Sequence, residues 1–221
     1  MLLSNAIIAV ALEQLLTNPT IRSTSLKKKT IAIIGIAVCI AYFVSTAALI
    51  FTAGKTALLC MEISTMAAGI YMVLLFISLP YSAAKGLSLF KKMSVICAAA
   101  CMMLTNMAHW VNISVTQPLI NAGLNVPDYF RIGTWPSVEM AVDYIAWGLF
   151  MSLAFLFAAK AIKPNAGMRW LLVTCGCLCI IGFLGVLVNE NLWYIAPIGY
   201  GPGTVVLCVK LILQSKREKP I

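Results

Sequence analysis

The stretch from Lys27 to Ala53 reads KKKTIAIIGIAVCIAYFVSTAALIFTA. Three lysines open it, and no Asp, Glu, Lys, Arg or His follows them before Lys55. A helix of about 20 apolar residues matches the hydrocarbon core of a bilayer, which is roughly 30 Å thick. Loops rich in Lys and Arg stay on the cytoplasmic side of a membrane. The stretch therefore predicts a transmembrane helix that begins at the cytoplasmic face.

The same alternation of basic clusters and apolar stretches continues along the chain. Thirteen of the sixteen Lys and Arg residues lie in four clusters. The clusters are Arg22 with Lys27, Lys28 and Lys29; Lys85 with Lys91 and Lys92; Lys160 with Lys163 and Arg169; and Lys216, Arg217 and Lys219. Transmembrane spans are predicted at about 30–53, 57–79, 93–113, 137–159, 168–188 and 193–213. The expected fold class is an all-α, polytopic helical bundle in the plasma membrane, with a cytoplasmic C-terminus.

The N-terminal segment, residues 1–17, can be interpreted in two ways. Its apolar stretch of about 16 residues is short for a crossing, and Asn5 and Glu13 fall on roughly one face, as in an interfacial helix. However, no polar residue interrupts the run from Ala6 to Leu12, and basic residues follow the segment, as at a cytoplasmic boundary. The sequence favours seven spans with the N-terminus outside, and six spans are the alternative.

The composition favours a membrane protein over a nucleic-acid-binding one. The 221 residues are 62% hydrophobic and 10% charged, with a mean hydropathy of +0.96, which lies outside the range of soluble domains. The net charge of +9 is compatible with nucleic acid, but the basic residues lie at span ends, where anionic lipid headgroups are their natural contacts. The expected partners are the lipid bilayer and a small-molecule or lipid-like ligand, with no nucleic acid.

The eight cysteines predict neither a disulfide framework nor a metal site. All of them lie in apolar stretches, where cysteine behaves as a small hydrophobe. In the Cys175, Cys177 and Cys179 series, two-residue spacing turns the side chain by about 200° around a helix, so only the first and third share a face. Two thiols with no nearby imidazole or carboxylate hold a metal poorly. No metal and no cofactor is therefore expected.

Ionisable residues within the spans concentrate near the outer side of the predicted bundle. Such residues are costly in a bilayer and mark functional sites. Five of the seven carboxylates lie outside or in the outer leaflet, together with the single histidine. The candidate ligand-binding residues of this group are Glu62, Asn106, His109, Trp110, Glu139 and Asp143. They predict a polar cavity open to the outside, although Glu139 could instead interact only with a helix dipole, and His109 could simply be hydrogen-bonded at the interface.

The last span carries a second pattern, in which prolines and glycines interrupt an apolar helix. The residues concerned are Pro197, Gly199, Gly201, Pro202 and Gly203. Proline removes a backbone donor and glycine weakens a helix, so a break with free carbonyls is expected, as in many transporters. Close helix packing through the glycines is the alternative. Trp193 and Tyr200 are further candidates for lining the ligand pocket.

These features favour three functions in descending order. The first is binding of a small amphipathic or cationic ligand in the outer cavity, by a transporter or a receptor. The second is an intramembrane enzyme that acts on a lipid or isoprenoid, with His109 and Glu62 or Asp143 as catalytic acid and base. The third is an accessory subunit whose polar residues join helices. The segment 114–136 is expected to be an extracytoplasmic connection that either covers the cavity or merely joins two spans.

The predicted orientation can be tested by labelling introduced cysteines in intact cells. Cysteines at positions 121–128 should react with a membrane-impermeant maleimide, because that segment carries few basic residues and is expected outside. Cysteines at 86–90 or 164–166 should react only after permeabilisation. The unmodified chain, with its own eight cysteines, gives the background labelling. The reverse pattern of accessibility would contradict both the orientation and the outward-facing cavity.

Overall fold

The computed structural model describes residues 25–163 and 165–217, which form an all-helical bundle. Six helices in this part of the chain are long and apolar enough to cross a membrane. They are α1 (Ser25–Thr52), α2 (Lys55–Ser78), α3 (Ser88–Asn121), α4 (Val138–Ala161), α5 (Ala166–Gly185) and α6 (Glu190–Lys216). Each of the six predicted spans overlaps one of these helices, and the largest difference in bounds is at the end of α3, which continues eight residues beyond the predicted span. The possible seventh span, at 1–17, lies outside the described residues and stays a prediction.

The helices follow one another around a closed ring. Each packs against the next in the chain, and α6 packs back against α1. Short connections force consecutive helices to run antiparallel. The 53–54 turn, the 122–137 connection and the 186–189 turn consequently lie at one end of the bundle, named the long-loop end below. The other end, where α1 and α3 begin and α4 and α6 finish among lysines, is named the basic end.

The half of the bundle next to the basic end has a tightly packed apolar core. Phe76 of α2 and Phe155 of α4 meet edge to face, with ring centroids 5.2 Å apart. Both rings are fully buried, as are Leu172 of α5 and Leu207 of α6. Ala98 of α3 is also completely buried, and small residues of this kind let helices approach closely. This half therefore leaves little room for a ligand.

Helix α3 is longer than the hydropathy pattern predicts. It continues to Asn121 through a π-helical segment, Asn112–Thr116, so that residues 114–121 belong to the helix rather than to the following connection. Pro118 falls in the first turn after the π segment, where a proline is tolerated. The connection itself is 122–137 and contains one 3-10 turn, Asp128–Phe130.

The last span is interrupted near its middle. A 3-10 turn, Glu190–Tyr194, leads into an α-helical segment, Ile195–Tyr200, and a second segment, Pro202–Arg217, follows. Gly201 between them has φ −86° and ψ −88°, outside helical values. The glycines on either side of the break, Gly199 and Gly203, also pack closely against α5. A Cβ atom on Gly199 would lie 2.6 Å from the carbonyl oxygen of Cys175, so the chain combines a helix break with close packing.

Replacing Gly199 by alanine should lower the stability of the bundle. The added methyl group would collide with backbone of α5, which cannot rotate away, and overpacking of this kind costs about 1–3 kcal/mol. The measurement is the midpoint of thermal unfolding in detergent. Gly86→Ala is the matched control, since no atom lies within 4 Å of its Cβ position. Equal midpoints for the two variants would show that α6 and α5 are not packed as described.

Candidate functional site

The candidate site starts from a polar stripe on one face of α3. Thr105, His109, Asn112 and Thr116 follow one another at intervals of four, three and four residues, the spacing that keeps side chains on one helix face. All four are buried in an otherwise apolar bundle. The last two lie in the π segment, a kind of wider turn that occurs often at functional sites. The stripe is directed at α2 and α4, the two neighbours of α3 in the ring.

The centre of the site is a buried contact between Glu62 of α2 and His109 of α3. The carboxylate oxygen Oε2 of Glu62 contacts the imidazole Nδ1 of His109. The other oxygen, Oε1, accepts a hydrogen bond of 2.6 Å from the side-chain amide of Asn112. Glu62 is only 1% exposed and His109 only 4%. A carboxylate so deeply buried is tolerable only when partners of this kind compensate its lost hydration.

A second carboxylate, Asp143 of α4, reaches the opposite side of the same imidazole. Its Oδ1 atom lies 3.6 Å from Nε2 of His109 and accepts a 3.3 Å hydrogen bond from the hydroxyl of Thr105. The structure thus places His109 between carboxylates from two neighbouring helices. One imidazolium can offset the charge of only one carboxylate, so this group is negative overall when both acids are ionised.

Glu139 adds a third carboxylate one helical turn away from Asp143. It is 4% exposed, and its Oε1 atom accepts a 3.0 Å hydrogen bond from the hydroxyl of Thr116. Its other oxygen, Oε2, is buried without a hydrogen-bond partner among the described residues. Ser137 caps α4, which places Glu139 in the first turn, where the helix dipole is favourable. The dipole explains its position in α4 but leaves Oε2 without a donor.

Glu62 also borders a cavity of about 270 Å³ at the long-loop end. The cavity lies between the beginning of α2 and the last turns of α3. Its lining consists of Lys55, Leu58, Leu59, Glu62, Ile113, Gln117, Pro118 and Asn121. Glu62 lies about 10 Å from the start of α2, because seven residues separate it from Lys55 at a rise of 1.5 Å each. At that depth Glu62, the residue whose carboxylate contacts His109, forms the floor of the cavity.

Two other sequence candidates on α3 lie at the edge of the cluster or away from it. Asn106 is half-buried beside Gly69 of α2, and its carbonyl oxygen has no partner among the described residues. Trp110 is 58% exposed on the outside of the bundle. Adjacent residues on a helix point about 100° apart, so Trp110 cannot share the inward face that His109 occupies.

The aromatic candidates of α6 lie in a stack of rings rather than in the cavity lining. Trp193 stacks on Tyr144 of α4 with centroids 3.9 Å apart, and Tyr200 lies 4.7 Å from Trp147. The helix break beside them faces other helices, since a Cβ on Gly201 would lie 3.3 Å from Phe43 of α1. The prolines and glycines of α6 are therefore separate from the cavity above Glu62.

Several residues of the site were not predicted from the sequence. Asn112, Thr105 and Thr116 contact the carboxylates, and Lys55 and Gln117 line the cavity. The stripe at 105, 109, 112 and 116 was the available signal, because four polar residues repeat there with helical spacing inside an apolar helix. No pattern in the neighbouring sequence predicts that Lys55 belongs to the site. Lys55 lies at the start of α2 and lines the cavity only because α2 packs against α3.

Comparison of the chain with known protein families, with curated proteins and with solved structures finds no match.

A double-mutant cycle should detect the contact between Glu62 and His109. Removing one member of a buried ion pair leaves the other uncompensated and costs about 3–5 kcal/mol. Glu62→Ala and His109→Ala should each destabilise the protein strongly, while the double variant should lose less than their sum. The free energy of unfolding in detergent supplies all three values. Glu190→Ala, at an exposed turn of the same end, is the control. Strict additivity would mean that the two side chains do not interact.

Proposed function

We propose that this chain is a multi-pass membrane protein that binds a small amphipathic molecule through a cationic group, in the cavity above Glu62. In this proposal the long-loop end faces the outside of the plasma membrane, because the basic clusters at the opposite end favour the cytoplasm. The ligand enters from outside and stops above the packed half of the bundle.

The observation that carries the proposal is the imbalance of charge in the buried cluster. Glu62 and Glu139 are buried and the Asp143 side chain is 15% exposed, which makes three carboxylates, whereas His109 is the one base among the buried side chains of the described residues. An unpaired buried carboxylate costs several kcal/mol. A cationic ligand group beside Glu62 would offset part of this cost, and such differential stabilisation is a direct source of binding free energy.

The geometry around Glu62 suits a ligand better than it suits a purely structural role. Each of its oxygens is engaged by one protein donor, and a carboxylate offers about four acceptor positions in total. In the proposal, a donor from the ligand uses one of the remaining acceptor positions of Glu62. A purely structural role for the polar residues would not account for a cavity beside Glu62.

An acid–base enzyme is the weaker alternative because His109 is enclosed. Both of its ring nitrogens face carboxylates, and the residue does not line the cavity. A catalytic base must come within hydrogen-bond distance of the proton that it removes. In this arrangement, Glu62 is the group that meets a ligand, and His109 positions it.

Whether binding leads to transport depends on the packed half of the bundle. Phe76 and Phe155 close the interior toward the basic end, so passage would require the helices to move apart. The interruption of α6 at Gly201 is the one place in the described part of that helix where its two segments could change their relative angle. A receptor would need no such movement.

Titration of the purified protein with hexylamine should reveal the cation site. Hexylamine joins one ammonium group to an apolar chain and should raise the thermal unfolding midpoint in detergent at low salt, because it binds only the folded state. Glu62→Gln keeps the shape but loses the charge, and should weaken binding about tenfold or more, equivalent to about 1.4 kcal/mol. Glu190→Gln should bind like the unmodified protein. Equal affinities for all three proteins would refute the proposal.

A further inference from the structure

The cavity above Glu62 has a second charged residue, and its charge is opposite. Lys55 lies at the mouth and Glu62 at the floor. The two are seven residues apart on α2, which is close to two complete turns, so both project from the same face of the helix. Their Cα atoms are separated by about 10 Å along the helix axis. The lining thus has a negative pole at depth and a positive pole at the opening.

The positive pole is free to meet a ligand. Lys55 is exposed, and within residues 25–163 and 165–217 no carboxylate forms an ion pair with it. It is also the first residue of α2, and Gly54 before it provides no side-chain cap for the helix. The unbonded N–H groups of a helix start carry partial positive charge and add to that of the lysine. On the opposite wall, α3 contributes Asn121 and Gln117, and the side-chain amide of Gln117 donates a 3.2 Å hydrogen bond to Oδ1 of Asn112.

The walls between the two poles are apolar. They consist of Leu58 and Leu59 from α2 together with Ile113 and Pro118 from α3. The volume of about 270 Å³ lies just below the range of roughly 300–1,000 Å³ that is typical of drug-sized ligands. The cavity therefore fits a short molecule that is charged at both ends and aliphatic between them.

From this arrangement we infer that the ligand is a small zwitterion, in which an aliphatic segment separates an ammonium group from a carboxylate. The inference rests on the proposed function, since the ammonium group occupies the cation site at Glu62. The carboxylate then lies at the mouth, against Lys55 and the start of α2. A zwitterionic ligand is neutral overall, which matches a cavity lining that contains one acidic residue, Glu62, and one basic residue, Lys55.

The test compares two ligands that differ only at the end that faces Lys55. Hexylamine and 6-aminohexanoate share the ammonium group and the six-carbon chain, but only the second carries a carboxylate. Calorimetric titration of the full-length protein in detergent at low salt should show 6-aminohexanoate binding about tenfold more tightly, as expected for one additional charge-assisted contact. A series with 4-aminobutyrate and 8-aminooctanoate, each against its matched alkylamine, then measures the separation that the cavity prefers.

Three variants assign the preference to its source, and a fourth is the control. Lys55→Gln should reduce the ratio of the two affinities to about one by weakening the binding of 6-aminohexanoate, whereas hexylamine should bind somewhat more tightly because a positive charge about 10 Å away is removed. Lys55→Arg should keep the ratio. Glu62→Gln should weaken the binding of both ligands. Lys92→Gln, which removes an exposed lysine at the basic end, should alter neither.

The outcomes separate the two proposals. The zwitterion inference fails if no amino acid of the series binds more tightly than its matched amine. It also fails if Lys55→Gln changes the affinities for both ligands by the same factor. In both cases the cation site remains. In that case Lys55 only extends to the membrane surface, as interfacial lysines commonly do. If neither kind of ligand binds, or if Glu62→Gln has no effect on either, the proposed function itself fails and the inference fails with it.

Discussion

The contact between Glu62 and His109 is the constraint on which the long-loop half of the bundle depends. It joins α2 to α3 within an apolar protein, where an uncompensated charge would cost several kcal/mol. Its partners follow from it. Asn112 donates a hydrogen bond to the other oxygen of the glutamate, and Asp143 brings α4 to the far side of the imidazole. The rotation of three helices about their axes is thereby set by a single group of charges.

The two halves of the bundle are stabilised by different forces. Toward the basic end, rings and small side chains interdigitate around Phe76 and Phe155, and dispersion contacts between them hold the helices together. Toward the long-loop end, π-helical segments occur in α3, which carries His109, at Asn112–Thr116, and in α4, which carries Asp143, at Ile145–Phe150. Asn112 and Thr116 of the polar cluster belong to the first of these segments. The apolar core and the polar cluster therefore occupy different halves of the bundle along its axis, and the cavity beside Glu62 lies in the half that contains the polar cluster.

Helix α6 supports the site from a distance. The ring of Trp193 stacks on that of Tyr144, and the ring of Tyr200 lies tilted against that of Trp147. Tyr144 and Trp147 belong to the same turns of α4 that carry Asp143. The glycines beside the break bring α6 onto the backbone of α5. Close packing on one side and ring stacking on the other fix α6 between its neighbours. The stacked rings, in turn, hold α4 so that Asp143 faces His109.

The sequence by itself determined the number and positions of the six described helices and the end at which the lysines gather. It also indicated that Glu62, His109 and Asp143 would lie together, because a charged group in an apolar helix avoids lipid and seeks a partner. These properties depend on composition and on spacing along one helix, so they can be predicted from short stretches of sequence.

Only the tertiary structure decided which faces meet. It turned Trp110 outward although its neighbour His109 points inward, extended α3 to Asn121, and placed Lys55 above Glu62 at the mouth of a cavity. Each of these outcomes depends on the rotation of a helix about its axis, where one residue corresponds to about 100°. That rotation follows from the buried charge contacts together with closure of the six-helix ring and the two π-helical segments. Neither the ring closure nor the π segments leave a mark in the hydropathy of a single helix.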